Sequence, residues 1–248
     1  SFRKYIENTG IKTIVTGDSG QLPPIADDPA YLVDGNIYHL NQLMRQNADS
    51  PLIYLADRAR NGKPIEVGEY GYVTVIYEDE VNDMMMNMAD IILCGKNKTR
   101  DNINKYVRGN IYKHKTDYPM FKERLICRKN NWGKVVDGIS LANGLVGTVV
   151  MPPSVNGYED GQLTIDFKPD LLNNVFRNLK INYNYLNTSY GPLKDKIKNS
   201  KFTKGELLEY AYASTVHLSQ GSEYRFGMYF EEYLSPTIQN NLNYTAIT

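Results

Sequence analysis

Between Tyr72 and Val107 the chain alternates strand-like and helix-like runs, and this alternation limits the fold more than any other feature. Tyr72-Val73-Thr74-Val75-Ile76 reads as a strand and Asp79 to Asn87 as a helix. Asp90-Ile91-Ile92-Leu93-Cys94 reads as a strand and Asn97 to Val107 as a helix closed by Gly109. Four consecutive apolar residues at 91–94 suit a strand covered on both faces. A β-α-β-α order implies a parallel sheet with helices on its faces, the α/β class. Upstream, Lys12-Thr13-Ile14-Val15-Thr16 is a short β-branched run that ends in a Gly17-Asp18 loop. Ser50-Pro51 then opens a helix with Leu52, Leu55, Ala56 and Ala59 on one face, stopped by Asn61-Gly62.

After residue 120 the pattern changes. Arg124-Leu125-Ile126-Cys127, Gly147-Thr148-Val149-Val150 and Leu163-Thr164-Ile165-Asp166-Phe167 are short runs separated by Asn, Gly and Pro turns. This spacing predicts a small antiparallel barrel. Asn173 to Phe202 is basic and weakly patterned, and reads as a helix or an ordered loop. Leu207 to Val216 is read as the central strand of the parallel sheet.

Charge narrows the class of partner. Lys plus Arg and Asp plus Glu are 28 each, so bulk charge does not call for nucleic acid. The distribution is uneven, however. Residues 66–90 hold seven acids and no Lys or Arg, whereas residues 96–134 hold twelve Lys or Arg and three acids. Such a chain can turn a basic face to DNA and stay soluble. Cys94 and Cys127 lie in apolar runs without metal-ligand spacing, so they read as buried free thiols and no metal site is expected. There is neither an apolar run of membrane-spanning length nor a signal peptide, and the expected location is cytoplasmic.

The polar residues with chemical potential gather at expected strand ends, where α/β sheets bind ligands. Gly17-Asp18-Ser19-Gly20-Gln21-Leu22-Pro23-Pro24 is one such exit. Leu43-Met44-Arg45-Gln46 follows it, and Ala211 to Glu223 carries Thr215, His217, Ser219, Gln220 and Gly221 in close succession. On a strand, Thr215, His217 and Ser219 would alternate onto one face. Asn97, Thr99 and Arg100 open a helix, a place suited to phosphate, with Lys96 and Lys98 beside them. Trp132 could stack on a base but reads better as a packing residue of the barrel.

In this order, and with the terminal Asn243-Tyr244-Thr245-Ala246-Ile247-Thr248, these segments resemble motifs III, IV, V and the start of VI of superfamily 1 DNA helicases. The RecD-like group is the most similar: the exodeoxyribonuclease V alpha subunit and its phage relatives. The resemblance implies four segments. Residues 1–37 would be the tail of a first RecA-like domain, 1A, and 38–119 the first part of a second, 2A. Residues 120–205 would be an inserted SH3-like barrel, 2B, marked by the Asn143-Gly144-Leu145-Val146-Gly147 turn, and 206–248 the rest of 2A.

The resemblance also implies roles. Gln21 would sense the γ-phosphate, Asp18 would hold its loop or a water of Mg²⁺, and Arg45 would be an arginine finger. Glu223 would meet the nucleotide. Asn97, Thr99, Arg100, Thr215, His217, Ser219 and Gln220 would hold the backbone of single-stranded DNA. ATP and Mg²⁺ are the implied cofactors, and recombination or repair nuclease subunits are implied partners. No Gly-x-x-x-x-Gly-Lys-Ser/Thr loop occurs in the chain, and no Asp-Glu pair precedes motif III. The expectation is therefore the C-terminal part of a 5′–3′ helicase, with neither ATP hydrolysis nor tight nucleotide binding by this segment alone. The competing expectation is a non-catalytic nucleic-acid-binding or scaffold module on the same fold.

Overall fold

The computed structural model describes residues 8–9, 11–12, 14, 16–24, 38, 50–154, 158–170 and 172–248. The chain divides into two compact units, Ser1–Val75 with Ser235–Thr248, and Ile76–Leu234.

In the first unit, helix α1 spans Pro51–Arg60 with Pro at its start, and buries Leu55, Ala56 and Ala59. Gly62 ends it at φ +65°, the left-handed conformation that glycine adopts without steric cost. The Ser50 hydroxyl does not cap the helix and pairs with the Tyr72 hydroxyl at 2.8 Å. Strands β1 (Gly68–Tyr70) and β2 (Val73–Val75) form an antiparallel hairpin. This corrects the reading of 72–76 as a strand of the parallel sheet. A parallel partner needs a long crossover, and Gly71 at φ +63° turns the chain straight back. Helix α7, Gln239–Ile247, packs on α1 and buries Leu242.

Among the described residues, the second unit contains two larger sheets and a separate two-stranded hairpin. One is parallel, in the order β12-β3-β13: Ala213–Thr215, Ile91–Cys94 and Gly227–Phe230. Strand β3 is central and all four of its residues are buried, as its unbroken apolar run requires. Helix α3, Asn97–Tyr106, follows β3 and continues through a π turn at Val107–Ile111, so Gly109 does not end it. Ile103 and Val107 pack against Ile92, Cys94 and Ala213. The expected helix at 79–87 is split. A 3₁₀ turn at Glu78–Glu80 precedes α2, Asp83–Met88, where the Asn82 side chain accepts from the Met85 N–H at 3.0 Å.

The other sheet is antiparallel, in the order β10-β9-β7-β4-β11: Phe176–Asn182, Gln162–Pro169, Val146–Met151, Arg124–Cys127 and Leu208–Tyr210. Strand β8 (Tyr158–Glu159) pairs with β9, and β5 (Asn131–Val136) with β6 (Ile139–Leu141). Leu125, Val149, Ile165 and Phe167 are fully buried in its core. Gly147 has a packing reason to be glycine. A Cβ there would lie 2.3 Å from the Lys168 carbonyl oxygen and 2.7 Å from the Phe167 ring.

Two readings of this region need correction. Residues 173–202 hold strand β10 and then helices α4 (Tyr183–Asn187) and α5 (Pro192–Asn199). A bulge between Phe176 and Leu179, with Asn178 at φ +50°, breaks the alternation that would have marked the strand. Residues 207–216 are not one central strand. β11 pairs antiparallel with β4, and β12 lies at an edge of the parallel sheet beside β3. The chain changes sheets between them: Ala211 N–H donates to the Arg124 carbonyl, and the Tyr212 carbonyl accepts from Ile92 N–H.

Candidate functional site

In the first unit, the Asp18–Gln21 loop is tied to the C-terminal helix. Asp18 Oδ1 accepts from Gly20 N–H and Oδ2 from the Tyr244 hydroxyl, both at 2.8 Å. The Asn241 amide donates to the carbonyls of Ser19, Gly20 and Gln21 at 2.9–3.0 Å. Thr245 Oγ1 accepts from Leu22 N–H at 2.8 Å. Arg60 stands 3.9 Å from Asp18 and over the Tyr244 ring. Burial, followed by the bond to Asp18, raises the Tyr244 phenol above its ordinary range, so it stays a donor. Gly20 permits this closeness, because a Cβ there would lie 2.9 Å from Tyr244 Cε1. Asp18 therefore holds the loop, and both of its oxygens are engaged in doing so. Arg45 lies outside the described residues.

In the second unit, the start of α3 already holds an anion from the chain itself. Glu232 Oε2 accepts from Gly95 N–H at 2.8 Å and Lys96 N–H at 2.9 Å. Glu232 Oε1 accepts from the Thr99 hydroxyl at 2.6 Å, with Lys96 Nζ 3.9 Å away. A carboxylate is thus seated where positive partial charge from the helix end is concentrated. Asn97 is half-buried and Lys98 exposed. Arg100 points elsewhere. It is 4% exposed and paired with Glu209 at 3.0 Å, so it is not available to a DNA phosphate at the helix start.

The segment after β12 also departs from the one-face arrangement. Val216–Ser219 is a short helix, α6, so residues 215, 217 and 219 do not alternate along a strand. Thr215 and Ser219 are buried, and Ser219 Oγ has no hydrogen-bond partner. His217 is half-buried, and desolvation lowers its pKa below the usual 6.5, which favours the neutral ring. Gln220 and Glu223 are exposed on either side of Gly221, which sits at φ +85°. Two hydrogen bonds join Asn104 of α3 to the backbone of Ala213, at 2.8 and 3.3 Å, and couple the helix to β12.

Trp132 is 68% exposed on the β5–β6 hairpin, so it does not pack into the sheet as expected. Burial pushes the Cys94 thiol up to about 12 and the Cys127 thiol up to about 11, which leaves both protonated and inert. Among the described residues no cluster of His, Cys, Asp or Glu suits a metal ion, and no helix is long and apolar enough to cross a membrane.

One group escaped the sequence reading: Glu209, with Arg100, Arg128 and Lys194 around it. Glu209 is 6% exposed and pairs with Arg100 at 3.0 Å, Lys194 at 3.2 Å and Arg128 at 3.3 Å. The Tyr185 hydroxyl donates to it at 3.0 Å. The sequence signal was a carboxylate inside the apolar run Leu207-Leu208-Glu209. Nothing in the local sequence marks Glu232.

No protein-family model and no curated protein matches the sequence. Solved structures do match. The Pif1 helicase from Bacteroides in complex with ADP-AlF3 and single-stranded DNA is similar, with a TM-score of 0.52 and 18% identity over 93% of this chain and 58% of that one. The Pif1 helicase from Candida albicans gives a TM-score of 0.50 and 14% identity, over 93% and 60%. The chain thus spans less than two thirds of either helicase. At these identities the likeness is one of fold, and the parallel sheet of the second unit fits a RecA-like fold.

Proposed function

We propose that this chain is the C-terminal part of an ATP-dependent DNA helicase that translocates on single-stranded DNA. The likeness of fold to the Bacteroides helicase supports this reading, because that protein was captured with both single-stranded DNA and a nucleotide analogue. The observation in this chain that carries the reading is the fastening of the Gln21 loop to Asn241, Tyr244 and Thr245. It joins the segment resembling motif III to the one resembling the start of motif VI. A nucleotide-sensing loop must hold its position if its movements are to be transmitted, and five hydrogen bonds across 220 to 226 positions of sequence are not required for a mere surface turn.

Gln21 and Arg45 are the residues that would face the γ-phosphate, and ATP hydrolysis would supply the free energy for movement. Asp18 serves the loop, in keeping with its two engaged oxygens. On the DNA side, His217 and Gln220 are the accessible members of the Thr215–Gln220 group, with Asn97 and Lys98 at the start of α3. Neutral polar groups of this kind hold a phosphate backbone without reading bases, as translocation requires. Thr215, Ser219 and Thr99 shape the backbone beneath them. The antiparallel sheet would be an SH3-like insertion and movement would run 5′–3′, as the resemblance to the RecD-like group implies.

The test uses the parent protein that contains this chain. Gln21→Ala should reduce DNA-stimulated ATP turnover by orders of magnitude and leave nucleotide-free binding of single strands within about twofold, the pattern of a group that acts on the transition state. Unchanged turnover in a folded Gln21→Ala protein would refute the assignment.

A further inference from the structure

Around Glu209 the second unit gathers more cations than anions. Lys105 pairs with Asp101 at 3.0 Å and Arg108 with Glu123 at 2.9 Å, each one to one. Arg100, Arg128 and Lys194 instead share the single carboxylate of Glu209. Arg100 and Lys194 are 4% and 5% exposed. A buried charge without a counter-charge is costly, and here three cations divide a single carboxylate.

The hydrogen-bond inventory points the same way. Arg100 Nη1, Arg128 Nη1 and the Tyr210 hydroxyl are buried without a partner. The guanidinium nitrogens can only donate, and burial raises the Tyr210 phenol so that it keeps its proton. The region therefore has donors to spare and is short of acceptors. A cavity of about 170 Å³ bounded by α3, α4, α5 and β11 is lined by the four cations Arg100, Lys105, Arg108 and Lys194 against the two carboxylates of Asp101 and Glu209. A water occupies about 30 Å³, so the cavity has room for a group the size of a tetrahedral oxyanion.

We propose that this cavity is a binding site for a phosphate-class oxyanion. Such a ligand offers chiefly acceptors and carries negative charge beyond what Asp101 and Glu209 supply to the four cations, and guanidinium groups suit its geometry. The site lies within one unit and does not depend on the helicase reading. Its ligand is either a free phosphate or a phosphate of a nucleic-acid backbone.

Titration calorimetry of the whole chain with inorganic phosphate tests this, at constant ionic strength set by chloride. The expected result is saturable binding at one site per chain, competed by sulfate, with a melting temperature that rises with phosphate concentration. Lys194→Met should weaken binding at least roughly tenfold, the scale of one charge-assisted hydrogen bond. Lys105→Gln changes an exposed side chain, should leave the phosphate-free melting temperature unchanged, and should weaken binding several-fold. Competition by oligothymidylate would identify the backbone as the source, and its absence a free phosphate. No saturable binding by the folded chain would overturn the proposal, as would wild-type affinity in both variants.

Discussion

Tyr244 donates its hydroxyl to Asp18 Oδ2 at 2.8 Å across 226 positions of sequence. The bond ties the loop carrying Gln21 to helix α7, and Arg60 covers the pair. Tyr244→Phe removes one hydrogen bond to a charged group and leaves the ring. It should destabilise the first unit by about 1.5 to 3 kcal/mol, read from urea unfolding with circular dichroism. An unchanged midpoint would mean that water replaces the bond at no cost.

Glu209 should control acid stability in the second unit. Desolvation alone would raise its pKa, but the charges of Arg100, Lys194 and Arg128 outweigh that and hold it below the ordinary carboxylate range. Lys194 is also pushed down, because desolvation exceeds its share of a carboxylate claimed by two guanidinium groups as well. A carboxylate with a depressed folded-state pKa stabilises above its unfolded value and loses that contribution as pH falls through the folded one. Stability should therefore drop as pH falls below about 4, the unfolded carboxylate range. Glu209→Gln should cost roughly 3 to 5 kcal/mol at pH 7, as when a buried ion pair loses one partner, and should flatten that acid limb. Urea midpoints from pH 3 to pH 7 measure both effects.

Glu232 anchors the start of α3 through two backbone N–H groups and Thr99. Glu232→Ala should destabilise the second unit by about 1.5 to 3 kcal/mol, the range for hydrogen bonds to a charged group. Hydrogen exchange at Gly95 and Lys96 should accelerate with it. Protection equal to wild type at those two amides would contradict the assignment.

Trp132 is the only tryptophan, so its fluorescence reports a single place. At 68% exposure its emission should be red-shifted and readily quenched by iodide. Trp132→Ala should change stability by no more than about 0.5 kcal/mol, as for other surface positions. A blue-shifted, quencher-resistant emission would return Trp132 to a packed core.

How much of this was legible depended on whether a signal is local. The unbroken run Ile91–Cys94 announced a strand covered on both faces, and Ser50-Pro51 with Asn61-Gly62 bracketed α1. Gly71 concealed a hairpin where a parallel strand was expected, and the bulge before Leu179 concealed β10. Both depend on backbone geometry that side-chain periodicity does not encode. Within the site, the polarity of Thr215, Ser219 and Arg100 was evident but their burial was not. Arg100 is held by a carboxylate 109 positions away, and no spacing rule reports that pairing.

The most direct test of the central claim is fluorescence anisotropy of labelled oligothymidylate titrated with the chain at several salt concentrations. Saturable binding that weakens steeply as salt rises is expected, with similar affinity for a mixed-sequence strand, because the contacts are to the backbone. His217→Ala with Gln220→Ala should weaken binding of both strands by the same factor. No binding at low salt by the folded chain, or undiminished binding by the folded double variant, would contradict it.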